Sequence, residues 1–349
     1  MNIIEYIEKY KNKSFEEEIF NEVDNVVLSM LSYLNFENLI DGNNKIKKIG
    51  KKFLQTCTYK EISKLGIAQK DAYNCLTKVV NTKRYENIEM LDYVYIGTKK
   101  EQFSAITFKI KKDLLYIAFE GTDNLISGWK EDFQLAYMYP VLSQIHAINY
   151  LNKTVKYFGP KIIVGGHSKG GNLALISALE INKLKQHKII KIYNNDGPGL
   201  RKKEFQSKKY SKIKNKYIHI IPQNSVIGIM LRNEKYEVVK TNRKTIMSHY
   251  PISWVIEENK FKKASLRLKS KNLEKNVLEW LDNHNDYERK KMIDNTFKIF
   301  EICEIDDTRN LRKIKNITKV INEIRNIDEE TKQLAQDFIK QSIFKNNKI

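Results

Sequence analysis

The N-terminal part of the chain carries apolar residues at helical spacing. The most regular run recurs every three or four positions and consists of Val23, Val26, Val27, Met30, Leu31 and Leu34. Ser14 followed by Glu17 has the spacing of a capping box, which predicts a helix start at that point. We therefore predict a mainly helical segment over residues 1–90, with a polar loop over residues 41–52.

The pattern then changes to short apolar runs. Residues 102–110 and 113–119 are rich in β-forming residues and are separated by lysines, which predicts a hairpin. Residues 142–158 return to helical spacing. Further strands are predicted at 161–166, 188–195 and 216–222. Strands that alternate with helices predict an α/β protein with a mostly parallel sheet flanked by helices.

After Lys263 the chain is rich in lysine and helical spacing returns. The apolar positions are Leu273, Val277, Leu278, Leu281, Met292, Ile293, Phe297 and Phe300. We therefore divide the chain into an N-terminal helical segment (1–90), an α/β core (91–263) and a C-terminal helical segment (264–349). Both helical segments are expected to pack on the core.

The charge balance changes the expected partners. The chain of 349 residues has a net charge of +20, yet only nine of its basic residues are arginine. Base readout and bidentate phosphate binding favour arginine, so nucleic acid is disfavoured as a partner. The lysine-rich stretch 201–216 is a candidate contact with an anionic membrane, and a solvated loop is the alternative.

Apolar runs and cysteines indicate the compartment. No apolar run approaches the roughly 18 residues of a membrane span, and charges interrupt the N-terminal runs, unlike those of a signal peptide. Cys57, Cys75 and Cys303 have no metal-binding spacing and imply no disulfide framework. We expect a soluble, cytoplasmic protein without a metal or organic cofactor, and the sequence leaves its oligomeric state open.

The stretch "VGGHSKGGNLA" suggests catalysis. Gly166, Ser168 and Gly170 fit G-x-S-x-G, between an apolar strand and a helix. A serine on such a sharp turn exposes its hydroxyl, and glycines let the strand and the helix approach closely. Ser168 is therefore a candidate nucleophile, and a turn without chemistry is the alternative.

Two backbone amides are candidates for an oxyanion hole. The amide of Lys169 begins the helix after the serine, and its side chain is expected to be solvated. Thr122 follows the strand in "YIAFEGTDN" and can offer its amide and its hydroxyl. An ordinary strand exit is the alternative interpretation of Thr122.

A serine nucleophile needs a base and an acid to orient it. Four histidines follow the serine: His187, His219, His249 and His284. His249 is the preferred base because "TIMSHYPISW" is a loop beyond the last predicted core strand. Asp196 in "IYNNDGPGL" ends a strand and is the preferred acid, although Asp-Gly-Pro-Gly is also a good turn sequence.

"LLYIAFEGTDNLISGWKEDF" together with "IIVGGHSKGGNLA" resembles the class 3 lipases of the α/β-hydrolase superfamily. "YNNDGPGL", "IPQNSVIGIML" and "SHYPISWVI" extend the resemblance, over nearly the whole chain, to an uncharacterised bacterial α/β-hydrolase family. The resemblance implies an α/β-hydrolase fold, an oxyanion role for Thr122, and structural roles for Trp129 and Asp132.

Two positions depart from the lipase pattern. Ser225 stands where class 3 lipases carry their catalytic acid, so Asp196 would be a relocated acid. Glu120 replaces the arginine beside the oxyanion loop.

We interpret the chain as a serine hydrolase that cleaves a carboxylic ester or thioester, with a lipid-like acyl group implied by the resemblance. Ser168, His249 and Asp196 form the candidate triad, and the amides of Thr122 and Lys169 form the oxyanion hole. Acyl transfer remains open beside hydrolysis. The alternative is a non-catalytic interaction protein whose lysine-rich surface binds an anionic membrane or nucleic acid.

Overall fold

A computed structural model describes residues 1–40, 44–98 and 101–344. Its N-terminal segment is a set of short helices: α1 Ile3–Tyr10, α2 Glu22–Leu31, α3 Ile46–Thr56, α4 Tyr59–Lys64, α5 Ile67–Val79 and α6 Lys83–Glu86. The predicted polar loop is wrong from Ile46 onward, because Ile46 and Ile49 are buried and make α3 amphipathic. Residues 41–43 of that predicted loop lie outside the described residues.

The helix start predicted at the Ser14 capping box is wrong as well. Ser14 and Glu17 do exchange the expected hydrogen bonds, but they close a turn. Helix α2 begins at Glu22, after Asn21, whose side chain accepts the first free amides of the helix. A capping box satisfies backbone donors in a turn as well as in a helix, so its spacing alone did not fix the start.

A seven-stranded sheet lies at the centre, and its strands lie side by side in the order in which they occur in the chain. They are β1 Glu89–Gly97, β2 Gln102–Lys111, β3 Leu114–Phe119, β4 Lys161–His167, β5 Ile189–Asn195, β6 Tyr217–Pro222 and β7 Glu237–Val239. Strands β1 to β3 pair antiparallel, which confirms the predicted hairpin, and β3 to β7 pair in parallel. The predicted mostly parallel sheet is therefore confirmed. Strands β1 and β7 were not predicted from the sequence. A separate hairpin joins β8 Ile256–Glu257 to β9 Lys260–Phe261.

Helices cover both faces of the sheet. The helices after β3 are α7 Ile126–Gln134, α8 Leu142–Thr154, α9 Lys169–Glu180, α10 Lys202–Phe205 and α11 Lys208–Ile213. Right-handed crossovers between strands in chain order place their helices on one face, and α8, α9 and α11 share one hydrophobic core there. The opposite face packs against α1, α2 and α5. The N-terminal segment is thus the third layer of the core.

Strand β3 shows the two faces directly. Ile117 and Phe119 belong to the core formed with α9, whereas Tyr116 and Ala118 belong to the core formed with α2. This alternation follows from the two-residue period of a strand. It places the side chain of the next residue, Glu120, toward the N-terminal helices.

The C-terminal segment adds α12 Leu268–Asn283, α13 Asp286–Ile302, α14 Ile314–Arg325 and α15 Glu329–Ile339. Its core includes Trp280, Ile293 and Phe297 and also takes in Ile126 of α7. The division at residues 90 and 263 stays a prediction, and residues 345–349 lie outside the described residues. Among the described helices, none is long and apolar enough to cross a membrane.

A buried ion pair fixes the N-terminal layer. Arg84 Nη2 lies 2.5 Å from Asp24 Oδ2, and both side chains are fully buried. The hydroxyl of Tyr85 donates to Asp24 Oδ1 at 2.6 Å, and Arg84 also donates to the carbonyls of Lys13 and Glu18. The pair therefore joins α2 and α6 to the loop that follows α1.

We predict that Asp24→Asn lowers the free energy of unfolding by about 3–5 kcal/mol, because it leaves the buried Arg84 without its counter-ion. Urea denaturation followed by circular dichroism measures this change. Glu17→Gln, which breaks the exposed ion pair with Lys83, is the matched control and should leave the midpoint unchanged. Equal effects of the two variants would contradict the prediction.

Candidate active site

Ser168 lies on a sharp turn between β4 and α9. Its backbone angles are φ 58° and ψ −132°, a strained conformation for a residue with a side chain. A Cβ atom on Gly170 would lie 2.1 Å from the carbonyl oxygen of Phe119, and one on Gly166 would lie 2.3 Å from the carbonyl carbon of Gly170. Both glycines are therefore required by the close approach of strand and helix, as the motif predicts. A parallel sheet with a serine on such a turn is the α/β-hydrolase fold.

The two amides named for the oxyanion hole lie on either side of the serine. The amide of Lys169 is in the first turn of α9, where amides lack partners within the helix. A Cβ atom on Gly121 would lie 3.0 Å from Ser168 Cβ, so the peptide leading to Thr122 runs beside the serine. The Thr122 hydroxyl donates to Asp132 Oδ2 at 2.5 Å. Of the two donors expected from Thr122, only the amide is therefore available to a substrate.

The side chain of Lys169 is buried, so the expectation that it is solvated is wrong. Its Nζ lies 3.2 Å from Glu131 and 4.0 Å from Asp132, and the side chain is 1% exposed. Burial disfavours the charged form, but the two carboxylates outweigh burial and raise the pKa of Lys169. Burial raises the pKa of Asp132 to about 6, although Lys169 and Thr122 act in the opposite direction. The ammonium thus compensates buried acidic charge beside the oxyanion loop.

His249 and Asp196 meet although their strands and loops are far apart in the chain. His249 Nδ1 donates to Asp196 Oδ2 at 2.7 Å. The carboxylate is fully buried, and its other oxygen accepts from the hydroxyl of Ser225 at 2.6 Å and the amide of Gly228 at 3.1 Å. Burial raises the pKa of Asp196, and these hydrogen bonds counteract the increase. Ser225 thus supports the carboxylate of Asp196.

His167 forms a contact that was not predicted from the sequence. Its Nε2 donates to the backbone oxygen of His249 at 2.8 Å. Because a carbonyl oxygen can only accept, Nδ1 is the unprotonated nitrogen, and it accepts from the Tyr33 hydroxyl at 2.9 Å. Burial lowers the pKa of His167 well below its ordinary value. This neutral ring therefore connects the N-terminal layer to the loop of His249, a contact with no local sequence signal.

Ser168 and His249 line one cavity of about 250 Å³. His187, His219 and His284 are not among the described residues that line it. The cavity is also lined by Thr122, Asp132, His167 and Lys169. No group of His, Cys, Asp and Glu among the described residues could hold a metal ion.

The C-terminal helices form an apolar wall of this cavity. The wall consists of Val277, Trp280, Leu281, Met292, Ile293 and Phe338. Trp129 and Phe133 of α7 continue it toward the surface, where each is more than one-third exposed. Periodicity predicted several of these residues as core, and only the fold shows that they border the serine.

The sequence matches a known protein family, and the fold is similar to that of solved lipases. A family model described as Mbeg1-like matches residues 79–298. Three solved lipase structures are similar to this one. M37 lipase is 16% identical in sequence, and the match covers 60% of this chain and 70% of the lipase with a TM-score of 0.38. Lip2 lipase from Yarrowia lipolytica is 14% identical, with 72% of this chain and 87% of the lipase covered and a TM-score of 0.38. A fungal lipase in an inhibitor complex is 14% identical, with 62% of this chain and 76% of the lipase covered and a TM-score of 0.37. No curated protein matches the sequence.

Proposed function

We propose that this chain, which belongs to the Mbeg1-like family, is a serine hydrolase that cleaves a carboxylic ester or thioester. One observation carries the proposal. His249 donates to the buried Asp196 at 2.7 Å and borders the same cavity as Ser168 on its strained turn. A nucleophile, a base and an acid that orients the base are the parts that acyl transfer to serine requires.

In the proposed reaction the Ser168 hydroxyl attacks the carbonyl carbon, and His249 Nε2 accepts the hydroxyl proton. Asp196 holds the opposite ring nitrogen and stabilises the imidazolium. The amides of Lys169 and Thr122 donate to the oxyanion of the tetrahedral intermediate. His249 then protonates the leaving alcohol or thiol, and water attacks the acyl enzyme by the same route. An acceptor other than water would make the same reaction an acyl transfer.

The apolar wall of the C-terminal helices fits the acyl part of the substrate. Trp280 is 1% exposed and Ile293 is 4% exposed, so the wall is desolvated and gives a hydrocarbon chain a favourable environment. Burial of each methylene group contributes about 0.8 kcal/mol. The proposed substrate therefore has an acyl chain of several carbons.

Contact with an anionic membrane remains a proposal. In the lysine-rich stretch 201–216, Lys209 pairs with Glu180 and Lys214 pairs with Glu234. Lys203, Lys208 and Lys212 are exposed. These three lysines are the part of the stretch that could face anionic headgroups.

A fluorophosphonate probe tests the proposed nucleophile. We predict that the probe labels the wild-type protein and that Ser168→Ala and His249→Ala abolish labelling, which mass spectrometry and in-gel fluorescence measure. Ser177→Ala, on the same helix with a hydroxyl bonded to the Ala174 carbonyl, is the matched control and should label normally. A wild-type protein that does not label would overturn the proposal and favour the non-catalytic alternative.

A further prediction concerns the acid of the proposed triad. Asp196→Asn should lower kcat by about 10³–10⁴-fold, because an amide does not hold the imidazole in the required tautomer. Ser225→Ala removes one hydrogen bond to the carboxylate and should lower kcat/KM by about tenfold. Steady-state hydrolysis of p-nitrophenyl butyrate measures both effects. Near wild-type turnover of Asp196→Asn would show that another group orients His249.

Another prediction concerns the length of the acyl chain. Met292→Trp fills the apolar part of the cavity and should lower kcat/KM for p-nitrophenyl laurate at least tenfold relative to the butyrate. Met138→Trp is the control, because Met138 is 39% exposed and does not line the cavity. If Met292→Trp changes both esters equally, the acyl chain does not lie along this wall.

A further inference from the structure

A second cavity of about 140 Å³ lies between the N-terminal helices and the first strands. Its charged lining residues, among those described, are Glu61, Glu120 and Asp123. All three are acidic in a chain whose net charge is +20. A cationic ligand in this cavity would stabilise the charged form of these acids.

Glu120 is the central residue of the second cavity. Its side chain is directed toward the N-terminal helices, and the residue is only 5% exposed. No described residue forms a hydrogen bond or an ion pair with its carboxyl group. Burial and the nearby Asp123 raise the pKa of Glu120 well above its ordinary value, against the opposing effect of Lys169. The carboxyl oxygens are open to the cavity, and a bound cation would lower the pKa of Glu120 by stabilising its charged form.

Aromatic rings complete the second cavity. Tyr33, Tyr93 and Tyr95 line it together with Glu120. Burial raises the pKa of each phenol, and the charge of Glu120 raises each one further. Tyrosine rings around a carboxylate attract alkylammonium groups through cation–π and ionic interactions. The volume of about 140 Å³ is close to the ~150 Å³ that accommodates benzene, so a trimethylammonium group fits.

The second cavity shares part of its lining with the cavity of the nucleophile. Tyr33, Gln69 and Asp123 line both cavities. A Cβ atom on Gly121 would lie 2.0 Å from the Tyr33 hydroxyl and 3.0 Å from Ser168 Cβ, so the phenol and the serine both lie close to Gly121. The C-terminal helices provide the apolar wall for the acyl chain. The second cavity is therefore available to the alcohol part of the ester.

We propose that the second cavity binds an alkylammonium group on the alcohol part of the substrate, so that the substrate is an ester of an amino alcohol. This proposal rests on the proposed hydrolase function. It gives Glu120, which replaces the arginine of the lipase pattern, the role of a specificity residue. Lys169 forms its ion pair with Glu131 beside the oxyanion loop and not with Glu120.

A pair of esters with the same shape tests the proposal. Butyrylcholine and 3,3-dimethylbutyl butyrate differ only in the charged nitrogen, which is carbon in the second ester. We expect the wild-type protein to prefer butyrylcholine at least tenfold in kcat/KM. Glu120→Gln should bring the ratio of the two kcat/KM values close to one. Glu89→Gln, a glutamate on β1 that pairs with Lys109 outside the cavity, should keep the wild-type ratio.

The wild-type ratio by itself decides the proposal if Glu120→Gln does not fold. Calorimetric titration of Ser168→Ala with choline, against 3,3-dimethylbutan-1-ol as the uncharged control, measures binding without turnover. Turnover of both esters without a preference, together with no choline binding, would overturn the ammonium site and leave the hydrolase standing. Choline binding by a protein that hydrolyses neither ester would support the cation site and overturn the substrate assignment, whereas fluorophosphonate labelling decides the hydrolase function.

Discussion

The buried carboxylate of Asp196 is the point on which the site depends. One oxygen accepts a hydrogen bond from the imidazole of His249, and the other accepts hydrogen bonds from the Ser225 hydroxyl and the Gly228 amide. Ser225 and Gly228 lie in the loop between β6 and β7, and His249 lies in a later loop. A fully buried carboxylate is stable only while such donors surround it. Its charge therefore fixes the relative positions of these segments and the orientation of the imidazole.

The N-terminal layer serves both the core and the site. Its helices cover the face of the sheet that the crossover helices leave free. The same layer supplies Tyr33, which donates to His167 and lines both cavities. Since His167 in turn donates to the backbone of His249, packing of the N-terminal helices also positions the candidate base. The layer and the C-terminal helices thus border the serine from two sides, one polar and aromatic and the other apolar.

Local patterns predicted the features that a short stretch of chain can specify. The hairpin of β2 and β3 and the strand and helix around Ser168 depend on residues close in sequence, so periodicity and glycine spacing were enough. The predicted start at Ser14 was wrong because the same hydrogen bonds stabilise a turn. The side chain of Lys169 was expected in solvent because nothing near it in the sequence indicates that Glu131 approaches it in the fold.

By itself, the sequence determined the alternation of strands and helices, the turn that exposes Ser168, and the choice of Asp196 and His249 as candidates. The tertiary structure decided what surrounds them. It brought Ser225 to the carboxylate, Tyr33 to His167 and Glu120 into a cavity of tyrosines. These contacts join residues from different layers, and the free energy that selects them comes from burial of the whole core. No local pattern encodes them, because each depends on how the sheet, the helices and the loops pack together.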